Sequence, residues 1–174
     1  MRRSAVALLL LAAAAPATAA GVEGCWLVEG KDAIVELQRD GGVVHGRLVG
    51  LADPVFREGE EGATAGAVRT DRENDDPALR DRPLAGLLLV DGLVRDGSRW
   101  EDGRIYDPES GRTYSVRAEL EDDGRLRIRG YVGTPLLGRT THWLPVTADP
   151  GTARRLLAAT APWLPPSMEA RCGL

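Results

Sequence analysis

Short stretches in which apolar and polar residues alternate make up much of the chain beyond residue 24. A period of two places successive side chains on opposite faces of a strand, so each stretch is predicted to be a β-strand. Asp-Gly steps such as Asp40-Gly41 separate several stretches and favour tight hairpins, because glycine accepts a positive φ. The predicted strands are 25–28, 33–38, 43–49, 99–106, 113–120, 126–132 and 139–144.

Seven or eight short antiparallel strands at near-regular spacing predict an all-β sandwich or barrel. Sequential hairpins favour an up-and-down meander, which closes its own edges as a barrel. The apolar run 84–90 is too short for its periodicity to separate a strand from a helical turn. Asp91-Gly92 is predicted to turn the chain after it, and Gly103 is predicted to mark a β-bulge.

Two segments interrupt the strand pattern. Residues 52–67 are rich in Gly, Glu, Ala and Pro and are predicted to form a long exposed loop. Residues 152–159 are predicted to form a short helix capped by Thr152. The expected organisation is therefore a β-barrel domain over residues 20–149, followed by a short helix and C-terminal tail over 150–174.

The first 19 residues have the organisation of a secretory signal peptide. Met1-Arg2-Arg3 is a basic start, residues 5–15 are apolar, and Ala17 to Ala19 gives an Ala-x-Ala cleavage signal. The apolar run is shorter than the roughly 20 residues that span a bilayer. A buried N-terminal helix is the alternative. We expect an exported protein, periplasmic or secreted, without a lipid anchor, since Glu23 occupies a lipobox position that requires a small residue.

The chain has two cysteines, Cys25 and Cys172, near the two ends of the predicted mature protein. In an oxidising compartment an isolated pair most often forms a disulfide. Two free buried thiols are the alternative, because the tail has to reach Cys25 for the bond to form. A disulfide is the prediction.

The chain is acidic, with a net charge of −4, and removal of the predicted signal peptide with Arg2 and Arg3 lowers it to −6. A negative surface repels phosphate backbones, which argues against a nucleic-acid partner. Apolar surface candidates such as Val55-Phe56 and Trp163-Leu164 are isolated, so membrane association is not expected. We expect a monomer.

Residues 71–86 carry five acids and three arginines in a segment that does not alternate. Arg80 and Arg82 are spaced to grip an anion together from an extended segment. Alternatively they pair with nearby acids and fix a long connection against the barrel, and this structural interpretation is favoured because the acids are abundant. Asp71 and Asn74 complete the polar candidates in this segment.

Metal and catalytic sites find little support in the sequence. His45 and His142 have no second histidine or cysteine at ligand spacing, and the acids of residues 71–76 lack the spacing of a calcium loop. Neither a nucleophile elbow nor a defined carboxylate pair is evident. His142 is interpreted as a packed strand residue because Trp143 follows it. We expect no metal, no cofactor and no enzymatic activity.

Several separated motifs together resemble an exported bacterial family, the domain of unknown function 2147. The resemblance runs in order from residue 24 to residue 143 and includes the following groups: Asp71, Asn74, Pro77, Leu79-Arg80, Arg82-Pro83-Leu84, Gly86, Trp100 to Tyr106, Asp107-Pro108, Gly111, Tyr114, Leu126, residues 130–133, residues 137–139 and Trp143. It implies a barrel similar to the calycins, which include lipocalins. Gly24-Cys25-Trp26 fits the Gly-x-Trp start of a lipocalin first strand, and the resemblance implies that Arg139 covers Trp26.

A calycin-like barrel implies a small, hydrophobic ligand bound at its mouth. Tyr106, Tyr114 and Tyr131 are ligand candidates together with the polar residues of segment 71–86. Alternatively the tyrosines and the tryptophans Trp26, Trp100 and Trp143 fill the core. A second hypothesis is a ligand-free interaction module of the cell envelope that uses residues 71–86 as its contact surface.

Overall fold

The computed structural model describes residues 21–168 and 170–174; the predicted signal peptide lies outside them. The described chain forms eight strands and one α-helix. The elements are β1 (Gly24–Leu27), β2 (Ala33–Asp40), β3 (Val43–Leu51), β4 (Leu88–Asp96), β5 (Arg99–Asp107), β6 (Arg112–Leu120), β7 (Leu126–Tyr131), β8 (Gly138–Pro145) and α1 (Pro150–Thr160).

The eight strands form a closed antiparallel barrel in which each strand pairs with its neighbours in sequence. β1 also pairs with β8, where Trp26 lies opposite Pro145 and Leu27 opposite Leu144. Closure removes both sheet edges, so every strand is hydrogen-bonded on two sides. The up-and-down barrel expected from the hairpin pattern and the family resemblance is confirmed.

Strand β4 corrects the turn predicted at Asp91-Gly92. Both residues lie inside β4, and the chain turns later, at Gly97, where φ is +59°. The strand continues because Leu93 is fully buried and Val94 pairs with Glu101 of β5. Gly92 has a positive φ of +80°, but it lies inside the strand and not in a turn.

The predicted bulge at Gly103 is confirmed. The register between β5 and β6 shifts between Trp100 and Gly103, and Asp102 takes a φ of +60° there. A side chain at Gly103 would place Cβ 2.6 Å from Leu93, so the neighbouring core already occupies that space.

The end of the barrel that holds the β2–β3, β4–β5 and β6–β7 hairpins contains a dense aromatic core. Trp26, Trp100 and Trp143 are all nearly inaccessible to solvent, at 6%, 1% and 2% exposure. The indole N–H of Trp26 donates to the carbonyl of Val22 at 2.8 Å. The chain segment before β1 is thereby tied to the closed end of the barrel.

Helix α1 packs on the outer face of β1–β3 through a second apolar cluster. Its N-cap is Asp149, whose side chain accepts from the backbone N–H of Thr152, so the predicted cap at Thr152 is wrong. Aspartate is a strong N-cap residue, and the helix begins earlier because Pro150 suits its first turn. Thr160 fixes the other end by accepting the backbone N–H of Leu51 at 2.7 Å.

The predicted disulfide is confirmed. Cys25 and Cys172 are bonded, with their Cα atoms 5.2 Å apart. The backbone N–H of Arg171 donates to the buried carboxylate of Glu36 at 3.1 Å, so the tail is held on the outer face beside the bond. A disulfide that joins the two ends of the fold is typical of proteins from oxidising compartments.

The connection between β3 and β4, residues 52–87, is more ordered than the exposed loop predicted for its first part. Val55 bridges Val68, and Thr70 bridges Pro83, so the segment folds back on itself twice. Phe56 is 7% exposed and lies beneath the guanidinium groups of Arg69 and Arg72. Among the described residues no helix combines the length and apolarity needed to cross a membrane.

Candidate ligand-binding cavity

The end of the barrel opposite the aromatic core opens into a cavity of about 1290 Å³. The connections that meet at this end are β1–β2, β3–β4, β5–β6 and β7–β8, as the up-and-down order requires. The cavity reaches inward to Trp143, which belongs to the tryptophan core and forms its floor.

The inner wall of the cavity is largely aliphatic and aromatic. Strand alternation explains the wall on β7 and β8, where Ile128 faces Thr141 and Gly130 faces Arg139 across the pair. The larger apolar residues of this inner wall are Val28, Leu48, Leu51, Phe56, Leu84, Leu89, Ile105, Ile128 and Trp143. Such a surface suits an apolar ligand, since apolar walls with few polar groups are the usual lining of small-molecule sites.

The ligand and interaction candidates predicted from the sequence fall into two groups. Tyr106, Tyr114 and Tyr131 all line the cavity. The polar candidates of segment 71–86 do not; they lie in the β3–β4 connection behind Tyr106. Tyr106 is therefore the residue that connects the two groups, because it lines the cavity and also bonds Asp71 and Asn74.

Asp71 is the centre of a buried polar network and is completely inaccessible to solvent. Tyr106 donates its hydroxyl to one carboxylate oxygen at 2.6 Å, and Asn74 donates to the other at 2.8 Å. Arg82 forms an ion pair with the same oxygen at 2.7 Å. A buried carboxylate is tolerated when its charge is paired and its lone pairs are filled, and both conditions are met here.

The network also fixes the connection to the strand beside it. The Arg82 guanidinium lies 5.1 Å from the centre of the Tyr106 ring, in addition to its pairing with Asp71. Burial of the phenol and, after it, the hydrogen bond to Asp71 raise the pKa of Tyr106 above its ordinary 10.0. Tyr106 thus contributes a ring to the cavity wall and a neutral hydroxyl to the network.

Arg80 differs from Arg82 in its partner. Its Nε donates to the backbone carbonyl of Asn74 at 2.8 Å. Both arginines therefore bond within the connection, and the structure places neither in the cavity lining. Arg82 is paired with an acid, as the structural alternative expected, whereas the bond of Arg80 is to a backbone carbonyl.

The position of Arg139 corrects the expectation that it covers Trp26. Trp26 lies beside Pro145 of β8, six residues from Arg139, which at ~3.3 Å per residue is roughly 20 Å along the strand. That distance exceeds the reach of an arginine side chain. Arg139 instead lines the open end of the cavity, next to Gly130.

Comparison with known proteins gives a family and a fold. Residues 24–144 match a family described as "Uncharacterized protein conserved in bacteria" (DUF2147), and this match covers more than half of the chain. The chain belongs to this family. The resemblance seen in the sequence motifs is thereby confirmed. No curated protein matches the chain.

Among solved structures, this DUF2147 chain is similar to protein HP1028 from the human pathogen Helicobacter pylori, which is described as belonging to the lipocalin family. The TM-score is 0.58 at 19% sequence identity, and the match covers 72% of this chain and 83% of that chain. At this level of identity the likeness establishes the lipocalin-like fold.

The rim of the cavity in this DUF2147 protein is acidic. Ten charged residues contribute to the lining, and seven of them are carboxylates: Glu29, Asp32, Asp53, Glu60, Glu73, Asp107 and Glu109. Arg69 is bonded to Glu60, which leaves Arg72 and Arg139 as the other cations of the rim. The mouth therefore presents a net negative field to an entering molecule.

Neither histidine of the chain belongs to the cavity lining. The Nδ1 atom of His45 lies 2.6 Å from a carboxylate oxygen of Asp91, and His142 lies 3.6 Å from Glu121. Within residues 21–168 and 170–174, the structure contains no cluster of three or more His, Cys, Asp or Glu side chains arranged to hold a metal ion.

Two parts of the site were not assigned to a cavity from the sequence. The aliphatic wall residues, such as Leu48 and Ile128, are the inward members of the alternating strands, and the period-two pattern already marked them. The sequence predicted no site residue in the β7–β8 loop, residues 132–137, although Val132 and Leu137 line the mouth. Two consecutive leucines, Leu136-Leu137, in a Gly- and Pro-containing turn were the available signal.

Proposed function

We propose that this protein binds a small hydrophobic ligand in the lumen of its barrel. The observation that carries the proposal is the open cavity of about 1290 Å³ with an apolar inner wall. Small-molecule sites typically occupy about 300–1000 Å³, so the lumen and its mouth have room for a ligand of that class. The lipocalin-like fold is consistent with this role.

Burial of apolar ligand surface supplies the affinity in this proposal. Each Å² of apolar surface removed from water contributes about 25 cal/mol, so burial of roughly 300 Å² is worth about 7.5 kcal/mol before the costs of association. Tyr114, Tyr131 and Arg139 provide polar groups near the mouth, which orient a ligand with one polar end.

The acidic rim favours neutral ligands over anionic ones. An anion that enters between the carboxylates meets a repulsion on the order of 1 kcal/mol, which is about fivefold in Kd. Salt screens exposed charges over about 10 Å at 0.1 M, so the difference should shrink as ionic strength rises.

The test is a fluorescence titration with two apolar probes of similar size. We expect the neutral probe N-phenylnaphthylamine to bind with a micromolar or lower Kd, and the anionic probe anilinonaphthalene sulfonate to bind more weakly at low salt. The difference should narrow in high salt. Absence of saturable binding by the neutral probe would refute the ligand-binding proposal, and equal affinities at every salt concentration would refute the role of the rim.

The proposal describes a binding protein and not an enzyme. A bound probe should therefore be recovered chemically unchanged after prolonged incubation, as checked by mass spectrometry.

We further propose that the chain is exported and acts as a monomer in the periplasm or outside the cell; the Cys25–Cys172 disulfide and the amino-terminal sequence support export.

A second candidate is an interaction module of the cell envelope. The observation that favours it is the contrast within segment 71–86: Asp71 and Asn74 are buried and fixed, while residues 75–81 are all exposed. A rigid base that presents an exposed stretch is suited to a protein contact. Replacement of residues 75–81 with a Gly/Ser linker should then abolish a partner interaction and leave probe binding intact.

A further inference from the structure

The β7–β8 loop, residues 132–137, presents large aliphatic side chains to solvent at the mouth of the barrel. Val132, Leu136 and Leu137 are 66%, 89% and 76% exposed. Val132 and Leu137 also line the cavity, so the apolar surface of the lumen extends onto this loop. Apolar surface left exposed in this way marks a site of interaction.

Three of the five backbone N–H groups of the same loop are bonded within it. Thr134 donates its N–H to the carbonyl of Val132 at 2.8 Å, and Leu137 donates to the carbonyl of Thr134 at 3.0 Å. Leu136 donates to the Thr134 hydroxyl at 3.1 Å, and Pro135 has no N–H to satisfy.

Two further carbonyls of the loop are bonded by one arginine. Arg129 of β7 donates to the carbonyls of Pro135 and Leu136 and to the hydroxyl of Thr140. The loop can therefore leave water without exposing these backbone groups unpaired. That property is required of a segment that enters hydrocarbon, where an unsatisfied backbone group is very costly.

We propose that the 132–137 loop docks on a lipid membrane surface and that the ligand passes between the bilayer and the lumen through the mouth beside it. The passage of the ligand rests on the proposed function, whereas the docking of the loop does not. A lipid surface fits better than a protein partner, since the loop offers aliphatic groups and few free polar ones, whereas protein interfaces combine aromatic and hydrogen-bonding groups.

The charge of the molecule indicates what kind of lipid surface fits. Arg129 and Arg139 lie beside the loop, but carboxylates outnumber arginines at the rim and the predicted mature chain has a net charge of −6, so we do not expect attraction to anionic lipids to drive docking. Docking depends instead on burial of apolar side chains at the interface. The sequence predicted no membrane association because the Val55-Phe56 and Trp163-Leu164 pairs are isolated; the exposed aliphatic residues of the 132–137 loop are the reason to propose it here.

The test is co-sedimentation of the protein, expressed as the full chain, with vesicles of phosphatidylcholine and with vesicles that also contain phosphatidylglycerol. The wild type should sediment with phosphatidylcholine vesicles at least as well as with the anionic ones. Leu136→Asp/Leu137→Asp should lower the partition coefficient by tenfold or more, and Leu136→Ser/Leu137→Ser should lower it without an added charge. Val94→Asp is the matched control, because Val94 is 42% exposed near the opposite end of the barrel.

Three results would overturn the docking proposal. In the first, the wild type stays in the supernatant with both kinds of vesicle. In the second, Val94→Asp loses as much binding as the loop variants. In the third, the loop variants change only the oligomeric state in sedimentation velocity, which would make the loop a self-association surface. Vesicle binding is measured on ligand-free protein. A lumen that binds no probe therefore refutes the proposed function and leaves the docking result standing.

Discussion

At the scale of single residues, Asp71 shows that a charge-rich sequence does not determine which residues its charges pair with. That arginines and acids in segment 71–86 would pair could be predicted from their abundance. The partners could not, because Tyr106 lies 35 residues further along the chain and reaches Asp71 only through the barrel fold. The carboxylate that matters is the one the fold buries, and burial is set by long-range packing.

Replacement of Asp71 by alanine should lower the free energy of unfolding by about 2–4 kcal/mol. The change leaves Arg82 without its carboxylate and removes the acceptor for Asn74 and Tyr106. Urea denaturation measures the effect. Asp75→Ala, at an exposed position of the same segment, should change stability by less than about 0.5 kcal/mol. Equal effects of the two variants would contradict the network.

Tyr106 should make stability fall at alkaline pH. Burial first, and then the bond to Asp71, raise the pKa of the folded phenol above 10.0, so the folded protein holds this proton to higher pH than the unfolded chain. The resulting stability is fully present below pH 10 and is lost as pH rises through the folded pKa.

The Tyr106→Phe variant should have a flatter decline in stability above pH 10 than the wild type. At neutral pH it should be less stable by about 1–2 kcal/mol, because Asp71 loses a hydrogen-bond donor. Thermal unfolding between pH 7 and pH 11 provides the measurement. Tyr131→Phe, at the same end of the barrel, is the control for loss of a hydroxyl at neutral pH. An unchanged alkaline slope in Tyr106→Phe would contradict the assignment.

At the scale of elements, local patterns predicted most strands, the β5 bulge and the terminal helix. They failed where non-local pairing overrides a local turn signal. Asp91-Gly92 reads as a turn, yet the pairing of Val94 with Glu101 carries β4 through it. The internal bridges of residues 52–87 were also beyond prediction, since they join residues such as Val55 and Val68 without a strand pattern.

The role of the β3–β4 connection can be tested through Arg80. Arg80→Ala removes a hydrogen bond to the backbone of Asn74 and should lower stability by about 1 kcal/mol. Binding of N-phenylnaphthylamine should not change, because Arg80 lies outside the cavity lining. Differential scanning fluorimetry and probe titration report the two effects. Unchanged melting with lost probe binding would show instead that Arg80 grips the ligand.

At the scale of the whole molecule, the closed barrel could be predicted and its open lumen could not. Glycines on the inner face show why. A Cβ at Gly46 would lie 2.7 Å from Leu37, so neighbouring side chains already fill that space. At Gly130 the nearest atoms would be 3.7 Å away, on Ile105. Whether a small inner residue leaves room depends on side chains from other strands, which the sequence does not place.

The central claim, that the lumen holds the ligand, is tested most directly by filling it. Gly130→Trp adds a large side chain to the cavity wall at a position with an ordinary φ and room for a Cβ. Gly42→Trp is the matched control, in open space at the hairpin of the opposite end. Isothermal titration with N-phenylnaphthylamine should show affinity reduced tenfold or more in Gly130→Trp and unchanged in Gly42→Trp, with both variants folded. Wild-type affinity in a folded Gly130→Trp variant would contradict the account.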